Sequence, residues 1–132
     1  MEIFDALYDT KDIKFIGVRD ERTGTHMADG YARVGNRLGV AFTSTGTAAG
    51  NASGAMVEAL SAGTPLLHIT GQVESQHLDK NHGYIHEARD QLSMLRAVSK
   101  AAYRVTSPET ALTIFKEAVR NALTAPTGPV GV

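Results

Sequence analysis

Short apolar runs with strand character alternate along this chain with segments of helical period, and no other feature narrows the possible folds as much. KFIGV (14–18), GVAFTS (39–44), PLLHIT (65–70), AAYRV (101–105) and the closing TGPVGV (127–132) have strand character. Residues 2–8, 21–34, 51–62, 86–98 and 108 to the Ala125-Pro126 pair between them carry helical patterns. Asp20 is placed to cap the second helix and Gly35-Asn36 to stop it, while Gly63, with Pro65 just beyond, closes the third. Ser107 and Pro108 open the last helix, whose Leu112, Phe115, Val119, Ala122 and Leu123 recur on one face. Such alternation predicts an α/β chain of three layers, α/β/α, around a mostly parallel sheet. In such sheets ligands sit beyond the carboxyl ends of the strands, here the loops after Val18, Ser44 and Thr70.

Composition removes several classes of function. The 132 residues are 42% hydrophobic, enough for one domain, 1–132, burying about two-thirds of its unfolded surface. Thirteen Lys and Arg against fourteen Asp and Glu leave a net charge of -1, which argues against nucleic acid as a partner. The absence of cysteine excludes a thiol nucleophile, a disulfide scaffold and a Cys-ligated metal. No apolar run approaches the roughly 20 residues that span a bilayer, and Met1 opens an acidic helix in place of a basic signal segment. A cytoplasmic protein with no membrane partner is expected.

Two of the loops carry candidate chemistry. In TSTGTAAGN, 43–51, small side chains let backbone N–H groups come close to a ligand ahead of a helix. The same residues also permit tight helix–strand packing, and the loop lacks both a P-loop lysine and a dinucleotide fingerprint. From the loop alone both readings stay open. Glu21 directly follows an apolar strand at the ligand end of the sheet. A helix-start acid ordinarily serves the helix dipole, but Asp20 already occupies that place. A shielded carboxyl group there is able to share a proton with a heterocyclic nitrogen. The polar stretch 72–83 is long for an idle connection. His77, His82 and His86 lack the geometry of a metal site, and His77 and His82 are expected to be solvated. His68, inside an apolar strand, is expected to be a satisfied core side chain, and His26 and Met27 are expected to pack against the sheet.

DERTGTHMADGYARV, LGVAFTSTGTAAGN and PLLHITGQV, in that order, resemble the pyrimidine-binding domain of thiamine-diphosphate-dependent enzymes related to acetolactate synthase. Asp90-Gln91, Lys100 before AAYRV and the closing TGPV agree, so the resemblance covers essentially the whole chain. It implies the thiamine-diphosphate-binding fold and thiamine diphosphate as cofactor. Glu21 matches the glutamate that hydrogen-bonds the aminopyrimidine nitrogen and so favours deprotonation of the thiazolium carbon. The resulting ylide attacks a small 2-keto acid and serves as electron sink for decarboxylation or carboligation. Gly46, Thr47 and Asn51 match the loop beside the pyrimidine, and Gly71 and Gln72 match the corner after the next strand. His86 stands at the place of a glutamine in many relatives, which implies that it faces the substrate. Asp20 replaces a common histidine, and Ala48 and Gly50 replace the usual Gly and Thr.

The resemblance also implies what lies elsewhere. The diphosphate and its Mg2+ are expected on a separate domain with a GDG motif, which this sequence does not contain. No metal ligand is therefore expected here. The partner is that diphosphate-binding domain, on the same or another chain, within a homodimer or homotetramer. Relatives have a strand before the helix matching residues 2–8, so a fragment of a longer enzyme, lacking the first strand, is expected. The alternatives are the small subunit of a split decarboxylase, or a non-catalytic α/β module for assembly or nucleotide binding.

Overall fold

The computed structural model describes residues 2–132; Met1, expected to open the first helix, lies outside the described residues. The elements run α1 (Glu2–Asp9), α2 (Glu21–Gly35), β1 (Gly39–Thr43), α3 (Thr47–Ala62), β2 (Leu66–Thr70), α4 (Gln91–Ala97), β3 (Ala101–Ala102), α5 (Pro108–Leu123) and β4 (Val130–Gly131). Among the described residues the sheet has four parallel strands in the order β1-β2-β4-β3. The closing strand thus inserts between β2 and β3. Its ladder continues past the assigned ends: Tyr103 donates to the Gly131 carbonyl and Thr70 to that of Val132, both at 2.9 Å.

Two cores flank the sheet. On one face Ala28, Ala41, Met56, Ala59 and Leu66 join α2 and α3 to β1 and β2. On the other, Leu67, Ala118, Ala122, Val130 and Val132 join α5 to β2 and β4. Gly39 is required by the first of these. A Cβ there would strike the Ala28 carbonyl, so the missing side chain lets the α2 backbone lie against β1. Lys100 is absorbed structurally: its Nζ donates to the carbonyls of Asn121 and Thr124, at 2.6 and 2.8 Å, and so caps the end of α5.

Several expectations need correction. Residues 14–18 form no strand: they have no ladder partner among the described residues, and Phe15, Ile16 and Val18 remain 55%, 57% and 43% exposed. An apolar run becomes a strand only where a neighbour satisfies its backbone, and β1 is the sheet's edge among the described residues. The 101–105 strand shrinks to Ala101–Ala102 because its partner β4 is equally short. α3 begins at Thr47, not at residue 51, since Gly46 caps it from a positive φ of 49° without any capping side chain to mark the place. α4 begins at Gln91, not at 86: His86 sits at φ 61°, which no α-helix accepts, and the Asp90 carboxylate caps the helix through the Ser93 N–H. On α5, Leu112 and Leu123 are exposed while Ala118 and Ala122 form the buried stripe. His26 and Met27 point away from the sheet; α2 buries Thr25, Ala28, Asp29 and Ala32 instead.

Candidate functional site

The site begins where α2 begins. The Asp20 carboxylate accepts from the N–H groups of Arg22 and Thr23, at 2.9 and 3.3 Å. The Arg22 guanidinium also clasps it at 2.7 Å, and that hydrogen bond holds the Asp20 pKa down at about 2. The helix start is thereby served, and Glu21, the next residue, is half-buried and left for other contacts. The buried hydroxyl of Thr25 donates to the Glu21 carbonyl at 2.8 Å and tightens this first turn.

The second wall is the start of α3. Asn51 Nδ2 donates to Glu21 Oε2 at 3.1 Å, joining the two helices through their polar ends. Among the described residues no hydrogen bond reaches Glu21 Oε1. Thr47 lies one turn before Asn51, on the same side of α3. Its hydroxyl is 3.3 Å from His86 Nδ1, which joins His86 to the first turn of α3. The His86 carbonyl lies over Gly46 where a Cβ would otherwise stand, so only glycine fits beneath it.

The loops after β1 and β2 are joined more than once. Thr70 Oγ1 donates to the Ser44 carbonyl at 2.6 Å, and the Gly71 N–H donates to the Thr43 carbonyl at 3.2 Å. The buried carboxamide of Gln91 touches both loops: Oε1 accepts the Gly46 N–H at 2.7 Å, and Nε2 donates to the Gly71 carbonyl at 2.8 Å. In the sequence Gln91 stands out only through the resemblance. The available signal was a polar residue opening a helix whose Leu92, Met94 and Leu95 are apolar. Gln72 Oε1 accepts the N–H of Val73, and the residue lines a cavity of about 290 Å³ with Phe42, Ile69 and Phe115.

The loop donors bear on whether the TSTGTAAGN loop receives a ligand on its backbone N–H groups. The Gly46 N–H is taken by Gln91, the Ala48 N–H by the Thr45 carbonyl and the Gly50 N–H by the Gly46 carbonyl. Those three amides are spent inside the protein. Among the described residues no group of three or more acidic or histidine side chains forms a metal site.

The strap between β2 and α4 is ordered by its own polar contacts. His77 stacks on Tyr84 at 4.1 Å, so it is not simply solvated. Tyr84 and Gln76 donate to Glu74, which lowers the Glu74 pKa, and Asp79 pairs with Arg104 at 2.8 Å.

The family model for the thiamine pyrophosphate enzyme, N-terminal TPP binding domain, matches residues 1–94. The chain belongs to this family. It is 35% identical to the acetolactate synthase large subunit of Buchnera aphidicola, over 98% of this chain and 22% of that protein. It is 36% identical to the probable 2-ketoarginine decarboxylase AruI of Pseudomonas aeruginosa, over 74% of this chain and 17% of that one. The thiamine diphosphate-dependent 4-hydroxybenzoylformate decarboxylase of Rhodococcus jostii RHA1 shares the fold, with a TM-score of 0.86 at 23% identity, over 93% of this chain and 23% of that one. The chain therefore spans about a fifth of the relatives it matches, and the α/β architecture is that of the thiamine-diphosphate-dependent enzymes. Among the described residues no helix is long and apolar enough to cross a membrane.

Proposed function

We propose that this TPP-binding domain, residues 1–132, forms the pyrimidine side of the active site of a 2-keto acid decarboxylase or carboligase, a lyase or transferase related to acetolactate synthase. The observation that carries the reading is the Glu21 carboxyl group, fixed through Oε2 by Asn51, with no hydrogen bond to Oε1 among the described residues. That donor set fits an aminopyrimidine: one oxygen is anchored and the other is available to exchange a proton with a ring nitrogen. Bound thiamine diphosphate supplies the nucleophilic carbon and the electron sink for breaking or making a carbon–carbon bond. Glu21 holds and moves the proton at the pyrimidine nitrogen, Asn51 orients Glu21, and Gly46, Thr47, Gly71 and Gln72 shape the wall around the ring. His86, placed by Thr47, faces the small 2-keto acid.

The spent amides of the Gly46 loop support a division of labour in which the diphosphate and Mg2+ are held by a partner domain, in the same or another chain. The edge of β1, exposed among the described residues with Val40 and Phe42, supports a homodimeric or homotetrameric enzyme in which that edge is covered; a cytoplasmic location is part of the same proposal. Calorimetry of this chain with thiamine diphosphate and Mg2+ tests the division: no tight binding is expected, and a sub-micromolar site overturns it.

Glu21→Gln tests the catalytic role once the partner domain is present. The amide keeps size and hydrogen-bonding capacity but cannot exchange the proton. Hydrogen–deuterium exchange at the cofactor's thiazolium carbon is expected to slow by about 10²–10⁴-fold with little change in folding stability. Unchanged exchange rejects the assignment and returns Glu21 to a helix-start role.

A further inference from the structure

We infer that Gln91 is a positioning residue that sets the spacing of the two loops forming the cofactor wall. The inference rests on the proposed function for the meaning of that wall, but its geometry stands independently. Gln91 is only 4% exposed, and its two polar atoms meet backbone groups of opposite character on different loops. Gly46 presents an N–H that needs an acceptor, and Gly71 presents a carbonyl that needs a donor. Among side chains of this length, only a carboxamide serves both at once. A carboxylate accepts but does not donate, and an apolar chain leaves two buried backbone groups without partners.

The loops at either end leave little room for error. Gly46 holds φ 49° and ψ −95° under the His86 carbonyl. A Cβ on Gly71 would stand 3.1 Å from Thr45 Cγ2, so the two loops already touch there. The contacts of Thr70 with Ser44 and of Gly71 with Thr43 tie the roots of these loops. Gln91 adds a tie at Gly46 itself, one residue before α3, the helix that presents Thr47 and Asn51. Gln91 is in turn placed by the Asp90 cap at the end of the long strap. The strap is thus joined to the loop wall from behind, and the N-terminus of α3 depends on it.

The test uses Gln91→Glu and Gln91→Met. Amide hydrogen exchange at Gly46, read by NMR in this chain, is expected to accelerate about 10–100-fold in Q91M, which has no acceptor. In Q91E it is expected to stay within about threefold of the wild type, since the Gly46 end survives. With the partner domain present, exchange at the cofactor's thiazolium carbon is expected to slow about 10-fold in Q91E and about 100-fold in Q91M, the scale of a displacement near 1 Å. A packing role predicts the reverse order, because Met preserves buried apolar volume better than a carboxylate does. If Q91M does not fold, Q91E carries the test alone, with the Gly46 amide protected and cofactor exchange slowed. Unaltered Gly46 exchange in folded Q91M overturns the inference. Unaltered cofactor exchange in the Gln91 variants beside slowed exchange in E21Q overturns the positioning role and leaves the proposed function standing. Unaltered cofactor exchange in E21Q overturns the proposed function, and Gly46 amide exchange then decides the loop-spacing role of Gln91 alone.

Discussion

The two faces of the sheet are packed with different materials. On the α2–α3 face the contact between the helices is made by small side chains, beside fully buried Met56 and Leu66: Ala49, Ala52, Ala55 and Ala59 are buried along one helix, and Ala28 and Ala32 face them from the other. Gly39 draws the α2 backbone onto β1, and Arg33 bridges Asp29 at 2.9 Å and reaches the Glu58 carbonyl at 3.4 Å. The opposite face also buries alanines, Ala118 and Ala122 of α5, but leaves its large aromatic groups incompletely covered. Phe4 meets Phe15 and Phe42 edge-to-face, each at 5.5 Å, yet all three rings stay at least 36% exposed. The proposed site stands on the small-residue face. Helices that touch through alanines approach closely and have few rotamers to exchange, so Glu21 at the start of α2 and Asn51 on α3 are held at hydrogen-bonding distance.

Acid provides the strongest way to break the tight face from within. His68 lies two residues beyond Leu66 on the same side of β2, with Nε2 2.9 Å from Thr43 Oγ1 and no partner on Nδ1 among the described residues. It is therefore a half-satisfied core histidine, not the satisfied one expected. Burial lowers its pKa from 6.5 to about 4. The folded state keeps the ring neutral while the unfolded chain takes up a proton, so this stability is complete above about pH 6.5. It is lost as pH falls from there toward 4, by about 3 kcal/mol in all. Urea unfolding at pH 7 and pH 4.5 should show the decline, and His68→Gln should flatten it. A decline of equal size in the variant assigns it to other groups.

Adding bulk sharpens the contrast between the faces. Ala59→Leu places three more carbons among Ala28, Ala41, Met56 and Leu66, and a loss of about 1–3 kcal/mol is expected. Phe4→Ala on the other face removes two edge-to-face pairs, each worth about 0.5–1.5 kcal/mol at full burial; the rings are half-exposed, so a total of about 1 kcal/mol is expected. Thermal unfolding of both variants measures the difference. If Phe4→Ala proves the more damaging, the apparent looseness of the α1 side is wrong.

The local signals were legible wherever one residue acts on its own segment. Asp20 as cap, Asn36 as left-handed stop and Gly63 as terminator are all seen in the structure, because a cap depends only on its neighbouring turn. The parallel α/β architecture was legible from apolar runs alternating with helical segments, and the family from the motifs at the strand ends. Glu21 and Asn51 were both named from the sequence, but their contact spans 30 residues and belongs to no local pattern.

Tertiary structure decided the rest. KFIGV has a strand's composition and is not a strand, because β-structure is a property of pairs and this segment has no partner among the described residues. The burial of His68 with one nitrogen unmatched follows from the helices laid over β2, and its own strand sequence does not encode it. In the sequence Gln91 is one polar residue inside the helical pattern 86–98. Its two partners are 45 and 20 residues away, and they become neighbours only when β1 and β2 lie side by side. A chain writes its turns and caps in adjacent residues because those act over one or two turns. It leaves loop spacing and buried polar contacts to the assembled sheet, where the donors and acceptors first meet.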